Sequence, residues 1–218
     1  MKAFIKDNWL FYLGYFILVL WATYFLLSYN KIDIHLKINS LVGNKAVDTF
    51  YMYFTHAGDG LFALFVAIII ALDNARSGIY ILLSYAISGG ISTLLKNYFS
   101  DVNRPHLIFD EVVKIDIKYV EGVDILSSHS FPSGHSTTAF AVFTCLALLA
   151  ENKFMKLLYL VMAANVAFSR TYISQHWLID IYTGAWLGTI AATSLYFVLI
   201  NKTEFSVKLN KPLLSFLK

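Results

Sequence analysis

The sequence predicts an all-α membrane protein: a six-transmembrane-helix bundle with an interfacial amphipathic segment and an extramembrane loop between spans 3 and 4. Hydrophobic residues make up 58% of the 218-residue chain and charged residues only 14%, whereas a soluble domain carries about 25% charged residues. The apolar residues gather into runs, the longest of which match the ~20 residues that cross a bilayer as a helix. We therefore expect one membrane domain over residues 1–218, surrounded by membrane lipids.

The first half of the chain predicts three spans. An apolar run over residues 9–29, with aromatic residues near its ends, forms the first span. The second covers residues 60–72 and the third covers 78–95. Residues 30–58, between the first two spans, are amphipathic, and we place them at the membrane surface. Apolar and polar residues alternate over 32–38, which fits a strand as well as a helix, so this part stays unassigned.

The second half predicts a polar loop followed by three more spans. Residues 97–131 form the longest polar stretch and are acidic overall. The remaining spans cover residues 134–150, 155–169 and 177–200. A basic tail follows, with Lys202, Lys208, Lys211 and Lys218. Six spans place both termini on one side of the membrane, and Lys and Arg divide almost evenly between the two sides. We expect the side with the termini to be cytoplasmic.

The stretch Ser-Phe-Pro-Ser-Gly-His-Ser-Thr, residues 130–137, predicts the entry to the fourth span. Pro132 suits the first turn of a helix, and Gly134 lets a ligand approach the backbone closely. The first turn of a helix has unpaired N–H groups and a partial positive charge, so it binds anions. An ordinary capped helix start with a stray histidine is the alternative for this stretch taken alone.

Polar residues from four segments fall at the same membrane face in this layout, and ionisable groups at such a boundary are costly and tend to be functional. Arginine binds phosphate in a bidentate manner and lysine as a point charge, so the set suits a phosphate ligand. The small net charge of +3 offers no basic surface for nucleic acid, and we expect no such partner. The residues are Lys96 and Arg104, then Ser133, Gly134 and His135, then Ser169 and Arg170, and finally His176 and Asp180.

His176 and Asp180 are four residues apart, which places them one turn apart on the same face of a helix. A carboxylate that binds one ring nitrogen orients the imidazole and leaves the other nitrogen free to attack or to take a proton. His135, on a different helix, is then placed to protonate a leaving oxygen. Taken alone, His176 and Asp180 also fit a structural pair at a helix start. We expect no metal, because nearby cations would repel one.

Four other polar residues are expected outside this site. We place His56 and Asp59, which precede the second span, at the membrane interface, and His106 and His129 in the loop.

The residues resemble the three signature motifs of the type 2 phosphatidic acid phosphatase (PAP2) superfamily. The second motif matches in full, and the third matches in spacing. The first motif of the family usually has six residues between its Lys and Arg, whereas seven separate Lys96 from Arg104 here. That extra residue puts the contact between Lys96 and phosphate in question. The motif core covers residues 96–180: Arg104-Pro105, Pro132-Ser133-Gly134-His135, and Ser169-Arg170 followed by His176 and Asp180.

The resemblance implies a role for each matching residue. His176 would be the nucleophile that forms a phosphohistidine, Asp180 would orient it, and His135 would protonate the leaving group. The membrane enzymes of the family need no metal or other cofactor and act on lipid phosphates at the outer face of the membrane. The phosphoryl oxygens would be held by Lys96, Arg104, Ser133, Gly134 and Arg170.

The predicted function is therefore that of a membrane phosphatase for a lipid phosphate monoester or pyrophosphate. Candidate substrates are undecaprenyl pyrophosphate, phosphatidylglycerol phosphate, phosphatidate and the phosphates of lipid A. We expect a bacterial cytoplasmic membrane location, with the site facing the periplasm or exterior. A lipid phosphotransferase and a transporter of anionic lipids are the alternatives. Soluble members of the family that bind vanadate and oxidise halides do not fit six spans.

Overall fold

A computed structural model of the protein describes residues 2–201 and 210–216. The described residues form helices, turns and loops without a β-strand, so the predicted all-α class is confirmed. Lys202, Lys208 and Lys218 of the predicted basic tail lie outside the described residues. The helices are α1 (Lys2–Ser28), α2 (Lys31–Asn39), α3 (Lys45–Phe54), α4 (Gly60–Asp73), α5 (Ala75–Tyr98), α6 (Pro105–Leu107), α7 (Gly134–Leu149), α8 (Lys153–Tyr172) and α9 (Leu178–Leu195). Shorter 3-10 or π-helical turns cover Thr55–Gly58, Ile108–Val113, Tyr196–Ile200 and Leu213–Phe216.

The alternating residues 32–38 form helix α2. The side chain of Asn30 accepts a hydrogen bond from the backbone N–H of Asp33 at 2.9 Å, which is the contact that an N-cap residue makes. Ile34 and His35 are buried against the rest of the protein. A helix satisfies its backbone groups internally, whereas a strand needs a neighbouring strand, and this explains why the two-residue pattern does not produce a strand.

Helix α7 is the centre of the bundle and is buried along most of its length by α5, α8 and α9. Gly184 on α9 allows a close approach to the start of α7: a Cβ atom there would lie 2.7 Å from the Ser133 carbonyl oxygen. The backbone N–H of Ser133 donates to the carbonyl of Asp180 at 3.1 Å. The start of α7 and the start of α9 are therefore held in contact.

All six helices predicted as spans are present, but not all are long and apolar enough to cross a membrane alone. Within the described residues, length and hydropathy support three spans, over Ala3–Ser28, Ala75–Tyr98 and Leu178–Ile200. A pair bent by 61°, Lys45–Gly58 with Gly60–Asp73, could form a fourth. The six-span count is therefore supported only in part. Helix α7 has 16 residues, about 24 Å at 1.5 Å per residue, and it is covered by protein.

Helix α1 presents large apolar side chains to the outside of the bundle. A soluble protein rarely exposes a continuous apolar surface of this kind. This surface, together with the three long apolar helices, is that of an integral membrane protein. The exposed side chains include Ile5, Trp9, Leu13, Phe16, Ile17, Leu20, Trp21, Tyr24 and Leu27.

The loop between α5 and α7 packs against α2. Asn39 accepts a hydrogen bond from the backbone N–H of Lys118 at 2.9 Å and donates to the Lys118 carbonyl at 2.7 Å. Farther along the loop, Ser130 N–H donates to the Val102 carbonyl at 2.9 Å. These bonds hold the loop over the end of the bundle at which α7 and α9 begin.

Candidate active site

The site is built where α7 and α9 begin and α5 and α8 end. Ser133 is the N-cap of α7 and Gly134 is its first residue, so Pro132 lies before the helix instead of in its first turn. The Ser133 hydroxyl accepts hydrogen bonds from Ser136 N–H at 3.3 Å and Ser136 Oγ at 3.1 Å. That hydroxyl is fully buried and serves as the helix cap. Gly134 is more open, since no heavy atom of the described structure beyond its chain neighbours and its own helix lies within 4 Å of a Cβ built on it.

His176 and Asp180 meet in the structure, but not as two residues of one helix. His176 lies in the turn before α9, and its backbone N–H donates to the Arg170 carbonyl at 3.1 Å. Its Nδ1 lies 3.3 Å from Asp180 Oδ2. The same carboxylate oxygen accepts hydrogen bonds from Trp177 N–H at 3.0 Å and from the Ser130 hydroxyl. The Asp180 carboxylate therefore both caps α9 and orients His176.

Arg104 lies against the other ring nitrogen of His176. Its Nη1 is 3.4 Å from His176 Nε2 and donates to the Gln175 carbonyl at 2.9 Å and to Gln175 Oε1 at 3.1 Å. Its Nε donates to the Ser128 carbonyl at 2.8 Å. These bonds fix the guanidinium group beside the nitrogen that would attack a phosphorus atom.

Arg170, in the last turn of α8, is buried and is held by the turn that precedes α4. Its Nη1 donates to the Thr55 hydroxyl at 2.8 Å. Among the described residues, Arg170 Nε has no hydrogen-bond partner, although it is buried. A buried donor without a partner is costly, so this N–H is available to an anionic ligand.

Lys96, Gly134 and His135 line a cavity of 380 Å³ between α4, α5 and α7. The extra residue between Lys96 and Arg104 therefore does not turn Lys96 away from the start of α7. A larger cavity of 690 Å³ lies between α1, α2, α8 and α9. Its lining is mainly apolar and includes none of the predicted site residues.

The electrostatic environment keeps His176 neutral. The side chain is 2% exposed, and its burial, together with the cations Arg104, Arg170 and Lys96, lowers its pKa well below the ordinary value. Burial also lowers the pKa of Arg104, while Asp180 acts in the opposite direction. A neutral imidazole beside cations is the form that can attack a phosphate ester.

Four side chains that contact the predicted site residues were not predicted: those of Thr55, Asp59, Ser130 and Gln175. Asp59 was expected outside the site, but its Oδ1 lies 2.7 Å from His135 Nε2, so the structure places it in contact with a predicted site residue. Thr55 binds Arg170, Ser130 binds Asp180, and Gln175 binds Arg104. Their spacing along the chain gives no signal, because each contact joins segments that are distant in sequence.

The side chains of the other predicted loop residues lie outside this constellation, although the His129 carbonyl accepts a hydrogen bond from Arg104 Nη2 at 3.4 Å. His106 Nδ1 contacts the Tyr119 hydroxyl at 3.0 Å and Asp110 Oδ2 at 3.1 Å, and His129 Nδ1 contacts the Ser128 hydroxyl at 3.0 Å. No group of three or more His, Cys, Asp or Glu side chains that could hold a metal ion occurs within residues 2–201 and 210–216. The absence of a metal from the reaction remains a prediction.

Comparison with known proteins agrees with the motifs. The sequence model of the PAP2 superfamily matches residues 77–204. The fold is similar to the crystal structure of Aquifex aeolicus LpxE, with 22% identity and a TM-score of 0.67, over 77% of this chain and 94% of that chain. It is also similar to a transmembrane PAP2-type phosphatidylglycerolphosphate phosphatase from Bacillus subtilis, with 22% identity and a TM-score of 0.63, over 92% and 99%. No protein of curated function matches in sequence.

Proposed function

The chain belongs to the PAP2 superfamily, and from this premise we propose that it is a phosphatase that hydrolyses a lipid phosphate monoester or pyrophosphate through a phosphohistidine. One observation carries the proposal. A neutral, buried His176 has Asp180 on one ring nitrogen and the Arg104 guanidinium on the other. This is the arrangement that a histidine needs in order to attack a phosphorus atom.

In the first step, Nε2 of His176 attacks the phosphorus. The N–P bond forms while the bond from phosphorus to the leaving oxygen breaks. Asp180 favours the tautomer that has its proton on Nδ1 and the lone pair on Nε2. Because Arg104 lies 3.4 Å from Nε2, its N–H groups would lie beside the phosphoryl oxygens and stabilise their charge. Arg170 Nε, which has no hydrogen-bond partner among the described residues, is a further donor for these oxygens.

His135 would supply the proton for the leaving oxygen. His135 lines the same cavity as Lys96 and Gly134. A phosphate in this cavity would approach both the backbone at the start of α7 and the ammonium group of Lys96. In the second step, neutral His135 would take a proton from water as the water oxygen attacks phosphorus. The N–P bond to His176 then breaks and phosphate is released.

The position of the site suits a lipid substrate. A lipid phosphate has its tail in the bilayer and its head at the interface, and the site lies where helices of the bundle begin and end. We propose that α1, α4, α5, α7, α8 and α9 all cross the membrane, with the termini in the cytoplasm and the site outside. Short helices such as α7 fit this arrangement because neighbouring helices, and not lipid, cover them.

The test is phosphate release by the purified protein in detergent, with chelator present. The panel contains undecaprenyl pyrophosphate, phosphatidylglycerol phosphate, phosphatidate and lipid A. We expect release from one or two of these lipids, its loss in His176→Ala, and its retention in the matched control His106→Ala. Loss of release on adding chelator would contradict the metal-free mechanism.

Failure of this assay has two informative forms. Release that requires a second lipid as acceptor would indicate a phosphotransferase. No turnover with any lipid or acceptor would refute the proposed function and favour transport or binding.

A further inference from the structure

One carboxylate joins two histidines at the edge of the site. Asp59 Oδ1 lies 2.7 Å from His135 Nε2, and Asp59 Oδ2 lies 2.7 Å from His56 Nδ1. His56 is exposed, whereas His135 and Asp59 are about two-thirds buried. Asp59 thus connects the proposed acid of the reaction to the protein surface.

Helix capping does not explain the orientation of Asp59. The residue is the N-cap of α4, a position at which an Asp side chain ordinarily accepts a hydrogen bond from the first turn. Here the Asp59 side chain makes no such bond. Its two oxygens contact His135 and His56 instead, which are on other elements. A role in holding His135 accounts for the orientation of the Asp59 side chain, which helix capping does not explain.

The turn that carries Asp59 is packed tightly against the start of α7. A Cβ atom at Gly58 would lie 2.8 Å from the His135 carbonyl oxygen and 3.0 Å from the His135 Cβ atom. Earlier in the same turn, Thr55 accepts the hydrogen bond from Arg170. The segment from Thr55 to Asp59 therefore contacts the proposed acid and a proposed phosphate ligand, and its backbone has little freedom to move.

We propose that Asp59 is a positioning residue for His135, as Asp180 is for His176. The proposal rests on the proposed phosphatase function. The contact of Asp59 with Nε2 fixes the ring and stabilises its protonated form. Nδ1 is then the nitrogen that exchanges a proton with the substrate.

The proton balance follows the two steps of the reaction. When the phosphorus–oxygen bond breaks, the proton on His135 Nδ1 moves to the leaving oxygen, and the ring becomes neutral with its Nε2–H still bonded to Asp59. When water attacks the phosphohistidine, one water proton moves to Nδ1 and restores the charged ring. Asp59 stays ionised throughout.

The test compares two phosphate esters that differ in their need for an acid. Octyl phosphate releases an alkoxide, which needs a proton as it leaves. 4-Octylphenyl phosphate releases a phenoxide, whose parent phenol, like that of Tyr, ionises near pH 10 and needs little help. Loss of the acid function should therefore slow the alkyl ester selectively.

Asp59→Asn should lower kcat/KM for octyl phosphate by about 10- to 100-fold and for 4-octylphenyl phosphate by less than about threefold. Asp59→Ser should behave in the same way. Asn and Ser are both favourable N-cap residues, so either variant should preserve the start of α4. Asp73→Asn, the same change at the exposed far end of α4, is the matched control and should resemble the wild type. In a His135→Ala background, Asp59→Asn should have no further effect.

Equal losses on the two esters would overturn the proposal and assign Asp59 a structural role. A further loss in the His135→Ala background would also overturn it, because Asp59 would then act independently of His135. A wild-type protein that hydrolyses neither ester and no lipid of the panel would refute the proposed function itself. Hydrolysis by the wild type with unchanged Asp59 variants would refute only this inference.

Discussion

Asp180→Asn tests the pairing of the proposed nucleophile most directly. Oδ2 of Asp180 accepts three hydrogen bonds, from His176 Nδ1, Trp177 N–H and the Ser130 hydroxyl. Among the described residues, Oδ1 has no hydrogen-bond partner. An asparagine fits the same space, but its NH₂ group must take one of the two oxygen positions.

Both orientations of the amide carry a cost. With NH₂ at the Oδ1 position, a buried donor has no partner, which costs about 1–3 kcal/mol of stability, and the negative charge beside His176 is lost. With NH₂ at the Oδ2 position, it faces Trp177 N–H and His176 Nδ1. The NH₂ group then favours the His176 tautomer with the ring proton on Nε2, and a protonated Nε2 cannot attack phosphorus.

We expect kcat to fall by about 10²–10⁴-fold, equivalent to roughly 3–5 kcal/mol at 1.36 kcal/mol per factor of ten. The assay is phosphate release from the best lipid of the panel, with thermal unfolding measured on the same samples. Ser130→Ala is the control, because it removes one hydrogen bond to Asp180 and keeps the charge and the tautomer. The decrease in kcat of Ser130→Ala should stay near tenfold. A folded Asp180→Asn variant with kcat within about threefold of the wild type would refute the pairing.

Three further predictions follow from the site and the helix packing. The pKa of His176 is lowered in the folded state, so the unfolded chain binds a proton that the folded protein excludes. Stability should therefore fall as the pH drops below about 6.5, and the His176 ring should remain neutral at pH 6 by NMR; a midpoint at or above 6.5 would contradict this. If Lys96 contacts phosphate in the cavity that it lines, Lys96→Ala should lower kcat/KM about 10- to 100-fold. If Lys96→Ala keeps near wild-type activity while Arg104→Ala and Arg170→Ala are inactive, Lys96 is not a phosphate ligand. Gly184→Ala should cost about 1–3 kcal/mol of stability by thermal unfolding, because its Cβ atom would lie 2.7 Å from the Ser133 carbonyl oxygen. Gly90→Ala should cost nothing, because no heavy atom of the described residues, beyond its chain neighbours and its own helix, lies within 4 Å of a Cβ atom built there; equal effects would refute the close packing of α7 on α9.

The helices and the family could be predicted from local patterns. Long apolar runs predict helices because a helix satisfies its backbone hydrogen bonds within one segment, as a single span inside a membrane requires. The motifs around His135 and His176 indicate the family because the residue types and their spacing are short-range information. The choice between helix and strand was ambiguous where the apolar pattern was short, as in residues 32–38, where the Asn30 cap favours a helix.

Other features depend on contacts between distant segments. Whether α7 needs the length of a full span depends on the helices that cover it. Whether Lys96 reaches the site depends on the direction of the last turn of α5, and the structure places it in the cavity with His135.

Asp59 illustrates the limit most clearly. The apolar run that follows Asp59 predicts the second span, and α4 begins at Gly60 with Asp59 as its N-cap residue. Only the tertiary structure decides that its carboxylate turns away from α4 to His135, 76 positions along the chain. The physical reason is that a side chain at a helix start can satisfy its charge locally or at a distance. The choice depends on which other groups the packing at Gly58 brings within reach.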